Sequence, residues 1–148
     1  MSIKNRIEDA KLLWTAGRKE GAFIMVLISV AATSRKRYPK PMPDSEAFKK
    51  FILDEMGTIT GGPKYNVAFP FKGNDKTPLE NILYHHLRCQ LVHEGAMPES
   101  IVFTPPKIEK GKVFNVLRLT DPLGFPEGWV INLSKAVQEA PENGDIFK

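Results

Sequence analysis

Apolar residues along the chain recur mostly at helical intervals, and proline divides the stretches that can hold a helix from those that cannot. Residues 1–38 contain no proline; Pro39, Pro41 and Pro43 then arrive together, and a second proline-free stretch runs from Leu79 to Met97. Proline lacks the amide donor and clashes with the preceding turn, so long helices belong in the two clear stretches. In the first, Ile3, Ile7, Ala10, Leu13 and Trp14 follow helical spacing behind Ser2, a candidate N-cap. Gly17 and Gly21 bracket a turn or kink. A second helix over roughly 19–38 is then apolar almost all round from Ala22 to Ile28, the pattern of a buried central helix.

A third helix is predicted from Asp44 or Ser45 through about Glu55, with Phe48, Phe51, Ile52 and Met56 on one stripe and Gly57 as its stop. Residues 57–76 read as irregular, with an apolar patch, Val67 to Phe71, docking on the helices. The fourth helix starts at Thr77-Pro78-Leu79-Glu80, a capping box with proline at the first helical position, and stops at Gly95. Its core stripe is Leu79, Ile82, Leu83, Leu87 and Leu91. Beyond it the pattern changes. Ile101 to Phe103, Val113 to Leu119 and Trp129 to Ile131 read as short strands, Glu109-Lys110-Gly111-Lys112 as a turn, and a last helix starts near Leu133. The expectation is a single domain over 1–148 of mainly α class. A bundle of four to five helices fills 1–95, and short strands and a terminal helix over 96–148 pack on it.

Charge sharpens this picture. The 148 residues carry 21 Lys plus Arg against 17 Asp plus Glu, a net +4. The excess lies wholly in residues 1–95, which hold 15 basic and 10 acidic side chains. That balance admits an anionic partner. The lone cysteine, Cys89, excludes an internal disulfide and the paired-cysteine zinc and redox motifs. The longest apolar run, Ala22 to Ala32, has 11 residues, where a bilayer span needs about 20. A soluble, cytoplasmic protein with no membrane partner is expected.

All three histidines, the cysteine and one of the six arginines fall between Tyr84 and Glu94. Projected at about 100° per residue, Asn81, His85 and Arg88 lie opposite the core stripe with Tyr84 beside them. His86 falls on the core side as a packed histidine, and His93 projects roughly 140° from Arg88. His85, Cys89 and His93 are zinc-ligand types at i, i+4 and i+8. Eight residues of helix rise about 12 Å, however, so the outer two cannot grip one ion. No metal and no cofactor is expected. The stretch Gly57 to Lys64 lacks the Gly-Lys-Ser/Thr of a phosphate loop and reads as a turn. Arg35-Lys36-Arg37 is either a nucleic-acid contact or the basic cluster that a helix C-terminus attracts.

Arg88-x4-His93, set in Leu83-Tyr84-His85-His86-Leu87-Arg88-Cys89-Gln90-Leu91-Val92-His93-Glu94-Gly95, resembles the signature of the HEPN superfamily (higher eukaryotes and prokaryotes nucleotide-binding domains). The resemblance covers roughly residues 1–95 and carries over Arg88 and His93 alone. It implies an HEPN-like bundle and a metal-independent endoribonuclease that cleaves RNA by 2′-hydroxyl transesterification as a homodimer. A toxin–antitoxin or defence role would add an antitoxin or regulatory protein as partner. His93 would be the general acid/base and Arg88 would hold the scissile phosphate, roles that suit a group titrating near neutrality and a permanently charged fork. One histidine cannot be base and acid at once, and a two-fold axis would supply the second. Tyr84, His85, Asn81, Cys89 and Glu94 are candidate supporting groups by spacing. Cys89 stands where active members often carry a polar residue, which favours the alternative: a non-catalytic HEPN-like module binding a nucleotide, RNA or a protein. The same positions also suit a purely structural pair, with His93 bonding the last carbonyls and Arg88 solvated.

Overall fold

A computed structural model describes residues 2–62 and 67–147. Helix α1 spans Ile3–Thr15, with the Ser2 hydroxyl accepting from the Asn5 amide at 3.2 Å as the predicted cap. Helix α2, Lys19–Arg37, buries Ala22, Phe23, Val26, Leu27 and Val30 and packs against α1, against α3 (Asp44–Asp54) and against α6 (Glu127–Glu139). A short helix α4, Met56–Thr60, runs along α6. Helix α5 is composite: Leu79–Asn81 and Cys89–Glu94 are α-helical turns joined without a break through a π-helical middle, Ile82–Arg88. A single 3-10 turn, Pro141–Asn143, follows α6.

Six strands form three two-stranded sheets among the described residues. β1 (Ala68–Phe71) and β2 (Asn74–Pro78) make an antiparallel hairpin, turned by Lys72 and Gly73, both at positive φ. β3 (Ile101–Thr104) runs parallel to β6 (Leu123–Pro126), and between them β4 (Lys107–Glu109) and β5 (Lys112–Phe114) form a second antiparallel hairpin. One aromatic chain ties the layers together. Phe23 of α2 meets Phe103 of β3 at 5.7 Å and Phe125 of β6 at 5.5 Å; Phe125 meets Trp129 of α6 at 5.5 Å, and Trp129 reaches Phe69 of β1 at 6.0 Å.

These elements overturn the expected fold class. The chain is mixed α/β, with six helices and six strands among the described residues, and not a mainly α HEPN-like bundle carrying a small β extension. Strands β1 and β2 lie inside the 1–95 segment expected to form the bundle, mostly in the stretch 57–76 that reads as irregular in the sequence. The alternating burial of Phe69 and Phe71, ahead of a turn that only residues at positive φ can make, is a hairpin pattern. Trp129 to Ile131 is helix, not strand: Pro126 precedes a helix starting at Glu127, whose Trp129, Val130, Leu133, Ala136 and Val137 share one buried face. The strand expected over Val113 to Leu119 is limited to Lys112–Phe114. The helix expected to stop at Gly57 breaks at Glu55 and resumes through Gly57 as α4, ending at Gly61 in the left-handed region; Pro63 and Lys64 of the supposed turn lie outside the described residues. The capping box is absent. Thr77 and Pro78 belong to β2, no side chain caps α5, and Glu80 is buried.

The chain end is held by Asn143, which has no exposure. Its amide donates to the Thr33 hydroxyl at 3.0 Å and to the Val137 carbonyl at 2.9 Å, while its oxygen accepts from Lys36 at 3.1 Å. Beside it Arg37 donates to Glu142 at 2.7 Å and pairs with Glu55 at 2.9 Å, its guanidinium 4.6 Å over the Phe51 ring. Asn143→Ala leaves buried donors and acceptors unmet and is expected to cost about 2 kcal/mol, lowering Tm by roughly 4–8 °C in thermal unfolding. Hydrogen bonding from Arg37 holds the Glu142 carboxyl below its ordinary 4.5. A carboxyl with a depressed folded-state pKa stabilises the fold above its ordinary value. The stability gap between wild type and Glu142→Gln is therefore full at pH 7 and closes as acid titrates Glu142 in the folded state, which chemical denaturation across that range measures.

Candidate functional site

Three helices each present one stripe to a common groove. From α2 come Ile28, Ala31, Ala32 and Arg35; from α3, Asp44, Ala47 and Phe48; from α5, Tyr84, Arg88 and Val92. The first two sets follow i, i+3, i+4 spacing, so each is one helical face. The alanines leave the floor low, and the resulting cavity has a volume of about 300 Å³. That is the lower end of what holds a small ligand.

The α5 stripe follows strict four-residue spacing, as does the buried stripe behind it, Leu79, Leu83, Leu87 and Leu91, none of which is exposed. At 100° per residue a four-residue repeat drifts about 40° per step and would wind Leu91 away from the core. The wider π turns over Ile82–Arg88, with the Cys89 amide bonded back to the Tyr84 carbonyl, cancel that drift. The same widening keeps Tyr84, Arg88 and Val92 in line on the groove side. Rare π segments inside α-helices concentrate at functional sites, and this one contains both polar groove residues of α5.

Tyr84 is the centre of the groove's rim. Its ring lies 5.4 Å from Phe48 and 5.0 Å edge-on from His85, with the Arg88 guanidinium at 5.4 Å and the Lys49 ammonium at 5.8 Å from the ring centroid. Among the described residues Arg88 forms no ion pair. Among the described residues Asp44 is the only acid lining the groove. It accepts a hydrogen bond from Arg35, which also donates to the carbonyls of Met42 at 2.7 Å and Tyr38 at 3.1 Å. That bond, then the Arg35 charge, holds the Asp44 carboxyl below its ordinary value, and the charges of Lys40 and Arg88 lower it further.

The remaining residues singled out in the sequence scatter. His93 is exposed and does not line the groove, so the structure does not bring Arg88 and His93 together there. His85 is exposed; burial, then the Lys49 charge, lowers its pKa below 6.5. His86 packs edge-on against Phe71 at 4.8 Å as a half-buried core histidine, its pKa lowered first by burial and then by Lys72 and His85. Cys89 is a half-buried free thiol, Asn81 is half-buried, and Glu94 accepts a 3.4 Å hydrogen bond from Gln90. Lys36 and Arg37 are engaged by the chain end, so of the basic run only Arg35 reaches the groove. No group of His, Cys, Asp and Glu suited to a metal ion occurs among the described residues.

Sequence reasoning missed Ala31, Ala32, Asp44, Ala47 and Phe48, although their spacing on α2 and α3 marks them as faces. It also missed Glu80, which is 6 % exposed and whose carboxyl is raised above 4.5 chiefly by burial, against the opposing pull of its own amide and Lys49. Folding thus favours the neutral form, and ionisation above the ordinary pKa costs stability. Glu80→Gln is expected to unfold at a higher temperature than wild type at pH 7.5, with the gain gone below pH 4, as paired thermal melts would record.

No curated protein and no solved structure matches the chain. No helix among the described residues is long and apolar enough to cross a membrane. A family model described as Rv1289 matches residues 2–147, and the chain belongs to the Rv1289 family.

Proposed function

We propose that the groove between α2, α3 and α5 binds a nucleoside phosphate, free or within a single RNA strand, making the protein a nucleotide- or RNA-binding module. The observation that carries this is Arg88. Its fork lies against Tyr84 in a largely apolar groove and forms no ion pair with any carboxylate of the described residues, Asp44 acting on it only at longer range. An arginine so placed presents several aligned donors to a phosphate, and its charge is permanent. Tyr84, half-buried and backed by the buried Phe48, offers an aromatic ring for stacking a base, and Lys49 adds a positive charge beside that ring.

The cleaving version of this reading is an HEPN-like endoribonuclease acting without metal. It needs His93 next to the phosphate that Arg88 holds, and His93 stands outside the groove of its own chain. Cleavage would therefore require the histidine of a second copy across a two-fold axis. Binding without cleavage needs no such addition and is the reading the geometry favours.

One set of measurements separates the two. Titration of labelled short RNA and of a mononucleotide is expected to saturate, with Arg88→Ala weakening binding roughly 10- to 100-fold and Arg88→Lys falling between. His93→Ala should bind like wild type, and RNA incubated in EDTA should be recovered intact. Cyclic-phosphate products that disappear with His93→Ala would replace the binding reading with the endoribonuclease. Failure of wild type to bind either ligand would remove both.

A further inference from the structure

The β4–β5 hairpin is the part of the fold that the rest does not explain. All six of its strand residues are exposed, and neither strand pairs with any other among the described residues. Ile108 is 72 % exposed, Val113 67 % and Phe114 47 %. An isolated hairpin with apolar side chains in water is marginal and has two free edges, which most proteins cover or blunt. Its turn is nonetheless well made. Lys110 and Gly111 both adopt positive φ, as the tight two-residue hairpin turn requires.

The register decides what the outer edge of β4 offers. Glu109 and Lys112 flank the two-residue turn, so they are the hydrogen-bonded pair; Ile108 and Val113 are then the non-hydrogen-bonded pair, and Lys107 and Phe114 the next bonded one. The Ile108 amide and carbonyl consequently point away from β5, toward solvent. They are the only backbone groups of β4 to do so. A two-fold axis through Ile108 would pair this residue with its own copy, each amide donating to the other carbonyl. The same axis sets Lys107 opposite Glu109 of the second copy, and Glu109 opposite Lys107 of the second copy. Those flanking pairs are non-hydrogen-bonded, the kind whose side chains approach more closely. Lys-Ile-Glu is thus complementary to itself in charge and in hydrogen bonding. The β5 edge is not, because an axis through Val113 sets Lys112 against Phe114.

We propose that β4 pairs antiparallel with β4 of a second copy of this chain, centred on Ile108, to give a four-stranded sheet across a homodimer. The pairing satisfies the free edge and brings the exposed Ile108–Val113 face of each hairpin beside its equivalent. It does not depend on the nucleotide reading of the groove. An interface built on short strands is small, so the dimer should be weak, with Kd of roughly tens of micromolar.

Sedimentation velocity on the full chain from about 1 to 200 µM tests this, with charge reversals at Lys107 and Glu109, which pair with each other at 2.7 Å within one strand, so that the mixture and the double variant separate the contact between copies from that local pair. Wild type should show a monomer–dimer equilibrium. Lys107→Glu and Glu109→Lys each set like charges opposite one another and should weaken it at least roughly tenfold. An equimolar mixture of these two variants should form the heterodimer, and the double variant K107E/E109K should dimerise like wild type. A wild type that stays monomeric throughout overturns the proposal. So do single variants that dimerise normally, or a mixture and double variant that fail to associate.

Discussion

The structure depends on the complete burial of Phe23 in the second turn of α2. A central helix that is apolar over most of its surface needs several elements packed on it, leaving only one stripe to a groove. Helices α1, α3 and α6 pack there, and the sheet strands add a further contact through Phe103 and Phe125. Aromatic pairs in such geometry add about 0.5–1.5 kcal/mol each beyond the area they bury. The run from Phe103 through Phe23, Phe125 and Trp129 to Phe69 therefore couples helices and strands into one core. It also fixes α2 in rotation. With Phe23, Val26, Leu27 and Val30 turned inward, Ile28, Ala31 and Arg35 face the groove.

The groove follows from two further constraints. Small residues on α2 and α3 let the helices lie with a shallow gap between them, and the π turn of α5 sets a polar stripe along it. Neither feature serves packing alone. With an ordinary 3.6-residue period, α5 would bury its leucines less completely and would carry Arg88 round toward solvent. The stripe that seals the core and the stripe that lines the groove are thus held in phase by the same local widening.

Much of the helical framework was legible. Ser2, the proline-free stretches, the stripe from Leu79 to Leu91 and the stop at Gly95 all report local geometry, which the residues themselves determine. What misled was tertiary in origin. Phe69 and Phe71 alternate too briefly to announce a strand, and the hairpin is evident only once its turn at positive φ is seen. Trp129 to Ile131 reads as a β-type run until Pro126 is recognised as the residue preceding a helix. For the site, Arg88 and Tyr84 were found because they lie in the densest cluster of reactive side chains. The other two walls come from residues 36 to 60 positions away, which no spacing rule joins to them. The strict four-residue repeat in α5 was a visible sign of the π segment, and it places His93 and Arg88 on different surfaces.

The central claim, that the α2–α3–α5 groove is where a nucleoside phosphate binds, is tested most directly by amide chemical-shift mapping of the wild-type chain during titration with a mononucleotide. Saturable shifts confined to Ile28 to Arg35, Asp44 to Phe48 and Tyr84 to Val92 are expected. Shifts that instead gather around the apolar cavity of about 310 Å³ between α1, α2 and α6, lined by Trp14, Val26 and Ile131, would contradict it. So would a spectrum that does not change.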